Sequence, residues 1–209
     1  MQKWKTDKNL YDCKRDKNNN KEMDYYDEYV SNFLACDPLR NWESVSRCVD
    51  LWKFFINKVD SKELKYVLDV GTKDGQFTQY LNDNGFDCQG IEIDQQYVQF
   101  AQEKNRNVVF GDVTNLNRPD GSVEVVFAHH VLGLCPSFLS AYTEMMNVTN
   151  RYVVTLDSIP GNKRKHYSYM DSKDELTGIL EKISPHKVIY CDYWNKERPT
   201  ELVTILEKK

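Results

Sequence analysis

Apolar residues change their period along this chain, and the change separates a helical start from an alternating remainder. Val45, Cys48, Val49, Trp52, Phe55, Ile56 and Val59 recur at steps of three and four, which sets them on one helix face. From Tyr66 short apolar runs alternate with amphipathic stretches. YVLDV at 66–70 predicts a strand, and the stretch after it a helix reaching Asn84 with Gly85 as its stop. Strands are expected at 88–93, 108–110, 123–128 and 152–156, with helices over 95–104 and from Pro136 and Ser137 to about Met146. Ser172 followed by Glu175 is a capping-box signature for a helix through about Ile183, and 187–193 and 202–206 close the chain as two strands.

Repeated strand–helix alternation implies an α/β fold, a mostly parallel, doubly wound sheet with helices on both faces. The last two strands share only the short linker 194–200, so they are expected to pair as an antiparallel hairpin. The polar segment 1–22, with its Asn run at 18–20, reads as a mobile tail. Two helices are expected in 23–60, packing on a main domain at 61–209, with Tyr25, Tyr26 and Tyr29 on the first of them.

A length of 209 residues fits one substantial domain, and 40% hydrophobic with 29% charged residues is ordinary for a globular chain. The net charge of -4 argues against a surface dedicated to nucleic acid. The one concentrated basic patch is the 161–167 segment, GNKRKHY, where a polyanion could be gripped. No apolar stretch approaches the ~20 residues that span a bilayer, and the first residues lack the apolar centre of a signal peptide. Six cysteines at 13, 36, 48, 88, 135 and 191 form no C-x-x-C pair. They are expected to stay reduced in a cytoplasmic protein that has no structural metal.

Ligands of such sheets bind outside the carboxyl ends of the strands, beside the point where strand order reverses. The first loop reads Asp69-Val70-Gly71-Thr72-Lys73-Asp74-Gly75, and the second strand ends in Gly90-Ile91-Glu92-Ile93-Asp94. Gly71 and Gly75 permit a tight turn and a close backbone approach. A carboxylate at position 92 can accept both hydroxyls of a ribose. The dinucleotide fingerprint is absent, since its second and third glycine positions hold Lys73 and Gln76. Asp69 and Asp74 beside the loop would repel a pyrophosphate and suit a cationic nucleoside carrying an ammonium and a sulfonium.

The succession VLDVGTKDGQFTQYL, GIEID, FGDVTNL and DGSVEVVFAHHVL resembles the ordered motifs of class I S-adenosylmethionine-dependent methyltransferases. HYSYMDSKDELTGIL followed by two strands is similar to that family's C-terminal end. The resemblance implies a Rossmann-like seven-stranded sheet and S-adenosylmethionine as cofactor. It assigns Asp69 to the methionine amino group, Gly71, Thr72 and Gly75 to the turn under the cofactor, and Glu92 to the ribose, with Ile93 beside it. Asp112 matches the acceptor of the adenine amino group, with Val113 donating through its backbone. His129 is expected just past the fourth strand, beside the methionine and methyl group. Lys73 departs from the family, which carries glycine there; a side chain at that point either turns outward or crowds the cofactor.

Methyl transfer asks the protein for alignment, exclusion of water and, for some acceptors, a general base. His129 and His130 are the candidate catalytic pair; the duller reading has one capping the strand and the other packing under the next helix. No N-P-P-Y or Pro-Cys motif marks a base or glutamine acceptor. The VL of HHVLGL resembles the small-molecule branch of the family, although Gly133-Leu134 replaces the usual Glu-His. An O- or N-methyltransferase acting on a small acceptor is the leading expectation. Its alternatives are a nucleic-acid methyltransferase using the basic segment and a catalytically inactive methyltransferase-like binding or structural protein.

Overall fold

Helix α1 (Pro38–Ile56) turns its apolar stripe onto the sheet, with Leu51, Trp52 and Phe55 buried. Leu51 lies between the positions of the sequence stripe and is fully buried, so the centre of the buried face runs along 48, 51, 52 and 55. The computed structural model describes residues 38–135, 137–158, 172–183, 186–195 and 200–209, with side chains from 45 onward. The 1–22 tail, Tyr25, Tyr26 and Tyr29, the expected first helix, Cys13 and Cys36, and the basic segment 161–167 lie outside the described residues.

Seven strands follow: β1 (Tyr66–Val70), β2 (Asp87–Glu92), β3 (Val108–Phe110), β4 (Val123–His129), β5 (Thr149–Ser158), β6 (His186–Tyr193) and β7 (Glu201–Lys208). They form one sheet in the order β3-β2-β1-β4-β5-β7-β6. Six point the same way, and β7 enters between β5 and β6, antiparallel to both. Helices α2 (Gln76–Asp83), α3 (Gln95–Glu103), α4 (Phe138–Val148) and α5 (Lys173–Ile183) complete the alternation. The chain winds outward from β1 in both directions, so a crevice opens where the loops after β1 and β4 part.

Central strands of a doubly covered sheet bury both faces, and Val125, Val126 and Phe127 are all fully buried. On one face Trp52 centres an aromatic cluster, 5.3 Å from Phe55, 5.0 Å from Phe86 and 6.2 Å from Phe127. Truncating such a residue to alanine costs about 3–5 kcal/mol. On the other face α4 and α5 contribute Phe138, Tyr142, Met145, Leu176 and Leu180. Asp94, Ser137 and Ser172 cap α3, α4 and α5 by accepting from Gln96, Ser140 and Glu175 backbone N–H groups. Gly85 follows α2 at φ +89°, where the sequence places its stop.

Boundaries shift where local chemistry overrides the apolar pattern. Strand β5 starts at Thr149 rather than 152, because the Thr149 hydroxyl donates to the carbonyls of Glu124 and Tyr152 and fastens the strand's polar start. Helix α4 runs to Val148, two residues beyond its expected end. His129, expected just past the fourth strand, is instead its last residue, paired in register with Leu156 of β5.

Candidate active site

The loop after β1 is fastened to β2 through its backbone. Gly71 and Thr72 both donate to the Ile91 carbonyl, at 2.8 and 3.2 Å, and Gly75 donates to Thr72 at 3.1 Å. Gly71 and Gly75 adopt φ of +69° and +74°. A Cβ on Gly71 would run into the Val131 side chain, and one on Gly75 would stand 2.5 Å from Cγ2 of Val108. Both positions therefore need glycine for conformation and for room. Lys73 takes φ +55° without being glycine, at a cost of about 1 kcal/mol.

Two carboxylates stand at the tips of β1 and β2. Glu92 accepts the Lys73 N–H on Oε2 at 2.8 Å and the Ile93 and Asp94 N–H groups on Oε1 at 2.8 and 3.0 Å. That leaves one acceptor place on Oε2, where the sequence suggested room for two ribose hydroxyls. Burial pushes the Glu92 carboxyl upward, against the pull of these backbone donors. Asp69 is buried beneath the loop and accepts from the Thr78 hydroxyl at 2.8 Å; Thr72 meets Thr78 at 2.8 Å in turn. Burial drives the Asp69 carboxyl up to about 6, with the Thr72 and Thr78 hydroxyls pulling it back and Glu92 adding to the rise. No ion pair reaches Asp69 among the described residues. Asp74 is matched differently: it pairs with Arg106 at 3.2 Å and accepts from Gln76 at 2.7 Å. The negative charge offered to a ligand thus comes from Asp69 and Glu92.

Beyond Glu92 the surface turns apolar. Ile93 is 51% exposed, and Phe110, directly across from Glu92 in the β2–β3 register, is 59% exposed. Asp112 Oδ1 accepts from the backbone N–H and hydroxyl of Thr114, both at 2.8 Å, and Val113 is buried in the core. Asp69, Gly71, Thr72, Gly75, Glu92, Ile93, Asp112 and Val113 thus line the tips of three adjacent strands. Phe110, the first residue of the FGDVTNL run, joins them although the sequence assigns it no role; its place at a strand tip marks it.

The two histidines diverge. His129 Nε2 is buried without a hydrogen-bond partner, and burial drives its pKa down to about 3, so the ring is neutral. His130 adopts φ +57°, its backbone N–H donating to Leu156 at 2.7 Å. Its Nε2 lies 3.1 Å from Glu201 Oε1 and its Nδ1 3.4 Å from the Ser158 hydroxyl. Arg47 of α1 binds the other Glu201 oxygen at 2.5 Å. The hydrogen bond from His130 leads in holding the Glu201 carboxyl down to about 2, against burial and with help from Arg47.

Asp157 ends this row. Its Oδ1 accepts from the Leu132 and Gly133 N–H groups at 3.0 and 3.4 Å, Oδ2 is buried without a partner, and burial raises the carboxyl to about 7. Sequence reasoning missed Arg47, Asp157, Ser158 and Glu201. Asp157 and Ser158 directly follow the 152–156 run expected as the fifth strand and are the last two residues of β5, so the rule that ligands bind at strand tips would have found them. Nothing in the sequence joins Arg47 or Glu201 to His130. A polar cleft lined by Asn115, Arg118, Asp120 and Glu144 lies beside the start of β4, at the opposite end of the sheet.

Residues 68–152 match the family model described as a methyltransferase domain. No curated protein matches the chain. Among solved structures, an S-adenosylmethionine-dependent methyltransferase from Aquifex aeolicus is 21% identical, with 77% of this chain and 90% of that one covered and a TM-score of 0.59. A protein from Pyrococcus horikoshii OT3 is 17% identical, covers 87% and 99%, and gives 0.68. Magnesium protoporphyrin IX methyltransferase from Synechocystis PCC 6803, solved with bound S-adenosylhomocysteine, is 13% identical, covers 83% and 89%, and gives 0.63.

Proposed function

We propose that this chain, which carries a methyltransferase-domain match over residues 68–152 and shares the fold of S-adenosylmethionine-dependent methyltransferases, is an active class I enzyme that moves the methyl group of S-adenosylmethionine to an oxygen or nitrogen of a small-molecule acceptor. The observation that carries this reading is the pair of buried carboxylates, Asp69 and Glu92, on either side of a loop that needs glycine at 71 and 75.

The residues present fit the cofactor. Asp69 is a desolvated acid without an ion pair among the described residues, and an ammonium group would supply the missing charge. The free acceptor place on Glu92 suits one ribose hydroxyl. Exposed Ile93 and Phe110 offer apolar surface to a purine, and the second oxygen of Asp112 remains for its exocyclic amine. When bound, the cofactor supplies a methyl carbon already activated by a sulfonium. The protein then orients the acceptor, excludes water and holds its proton. His129, neutral and enclosed, suits the dry wall beside the methyl group.

Affinity for the cofactor tests the reading directly. Ligand at a hundred times its dissociation constant stabilises a protein by about 2.7 kcal/mol. Heat-shift and calorimetric titrations with S-adenosylmethionine and S-adenosylhomocysteine should both respond. Silence with both at millimolar concentration sinks the proposal and favours a binding or structural role. The nucleic-acid alternative rests on residues 161–167 alone. Among the described residues no helix is long and apolar enough to cross a membrane. We place the enzyme in the cytoplasm, on the strength of its scattered thiols, of which Cys48, Cys88, Cys135 and Cys191 are free.

A further inference from the structure

We infer that Glu201 is a positioning residue that makes His130 the proton acceptor of the reaction, and that the atom methylated is a hydroxyl oxygen. The inference rests on the cofactor reading above and adds to it a base, a tautomer and an acceptor class.

Three observations converge on it. Glu201, at the start of the antiparallel strand β7, meets His130 at the tip of β4 through Nε2, and Arg47 of α1 holds the carboxylate from behind. A carboxylate facing Nε2 keeps the hydrogen there, which leaves the lone pair on Nδ1. That lone pair points at the exposed Ser158 hydroxyl, 3.4 Å away and loosely held, so a hydroxyl already marks the place an acceptor hydroxyl would take. Second, His130 is held at φ +57°, a strained conformation for a side chain of its size. Strain of about 1–3 kcal/mol persists where surrounding contacts over-determine it, and here those contacts are Leu156, Glu201 and Ser158. Third, the next residue, Val131, lies against Gly71, which joins the imidazole to the loop assigned to the cofactor.

The charges around the ring are compatible with a base. Glu201 and Arg47 face it from β7 and α1, Asp157 acts on it from β5, and His129 stands beside it with ring centroids 4.5 Å apart. The Lys73 charge bears on His129 from the loop. In the step itself the acceptor O–H proton passes to Nδ1, and the oxygen's electron pair forms the bond to the sulfonium methyl carbon. The C–S electron pair stays on sulfur, giving the thioether, and Glu201 balances the imidazolium. A mere clip tying β7 to β4 and α1 would explain the ion pairs and hold the same tautomer, so the loss of kcat at unchanged KM is what separates it from a positioned base.

The tautomer is the first test. Long-range 1H–15N spectra of the full-length chain, with His130→Gln identifying the signals, should show the Nε2–H form in the wild type and a mixture in Glu201→Gln. The Nδ1–H form in the wild type, or an unchanged spectrum in Glu201→Gln, overturns the inference. Should Glu201→Gln fail to fold, Arg47→Met weakens the clamp while leaving the His130–Glu201 contact, and it should retain the Nε2–H form; loss of that form in a folded Arg47→Met overturns the assignment. The second test follows labelled methyl from S-adenosylmethionine to a panel of phenols, alcohols, amines and thiols. Product on a hydroxyl compound supports the inference when kcat falls at least ~30-fold in Glu201→Gln with the KM for S-adenosylmethionine within about twofold. Product on an amine or thiol at a rate His130→Gln leaves unchanged overturns it. The S-adenosylhomocysteine heat shift is recorded on every variant. Its absence in the wild type removes the cofactor reading, whereas its presence with the wrong tautomer removes this inference alone.

Discussion

The two halves of the strand-tip crevice are built by different means. Over β1, β2 and β3 the surface is made by backbone: Ile91 O holds the loop and three main-chain N–H groups hold Glu92. Over β4, β5 and β7 it is made by side chains, with Arg47, His130, Ser158 and Glu201 linked across as many as 154 residues of sequence. A backbone cradle fixes its geometry whatever the exposed side chains are, but it tolerates no Cβ where it turns. A side-chain network can be altered one residue at a time and it titrates. The first suits an invariant cofactor and the second a variable acceptor.

If the cofactor half is backbone-built, its glycines should be the most sensitive positions. Gly71→Ala adds a Cβ that meets stiff Val131 at a left-handed residue, so we expect a loss of about 2–4 kcal/mol in denaturant unfolding, together with the S-adenosylhomocysteine heat shift. A loss below about 1 kcal/mol would show that the loop yields and that the contrast is false. Glu92→Gln comes next. It keeps the shape but offers a neutral amide to three N–H donors, costing about 1–3 kcal/mol in stability. If Glu92 serves the ligand as well as the loop, as proposed, stability and calorimetric affinity should fall together; affinity alone falling would mean the loop holds itself.

The acceptor half should reveal itself through pH. Asp157 titrates at about 7 in the folded chain, well above an ordinary carboxyl near 4. Between those values the folded form holds a proton the unfolded form has lost, so stability declines as pH rises across that window and is flat above it. Asp157→Asn removes the charge while retaining an acceptor for Leu132 and Gly133. It should gain about 1–2 kcal/mol at pH 8 and little at pH 4, flattening the dependence of melting temperature on pH. Asp69 acts in the same sense but is exhausted by about pH 6. Glu201 acts oppositely, its contribution lost as pH falls from ordinary carboxyl values through about 2. An Asp157→Asn profile parallel to wild type would place the titration elsewhere and erase the distinction between the halves.

The same contrast governs what could be read from the sequence. Asp69, Gly71, Gly75 and Glu92 are marked by the loop after the first strand and the end of the second once the strands are recognised, whereas Asp112 is picked out only by the family resemblance. The sheet was legible because apolar runs such as 123–128 are continuous where both faces are covered. The start of β5 was not, because Thr149 enters through a hydroxyl rather than an apolar side chain. Glu201 reads as an ordinary polar residue before a strand, and Arg47 as a solvated position on α1. Only the insertion of β7 beside β5 brings Glu201 to His130, and that order is a property of the sheet. His129 and His130 look equivalent in sequence; a left-handed turn at His130 makes one an enclosed neutral ring and the other a hydrogen-bonded one.

Lys73→Gly should have the smallest effect, and it probes the contrast at its weakest point. Lys73 is the one residue of the loop that departs from the glycine pattern and also carries a charge toward the acceptor half, where it bears on His129. Glycine would relieve about 1 kcal/mol of left-handed strain and lose a similar amount by loosening the unfolded chain, so net stability should move by less than about 0.5 kcal/mol. The backbone N–H that Lys73 gives Glu92 survives the change. The calorimetric dissociation constant for S-adenosylhomocysteine should therefore stay within about threefold. A tenfold weakening with unchanged stability would make the ammonium part of the cofactor site, and the cradle would then be backbone at every point except this one.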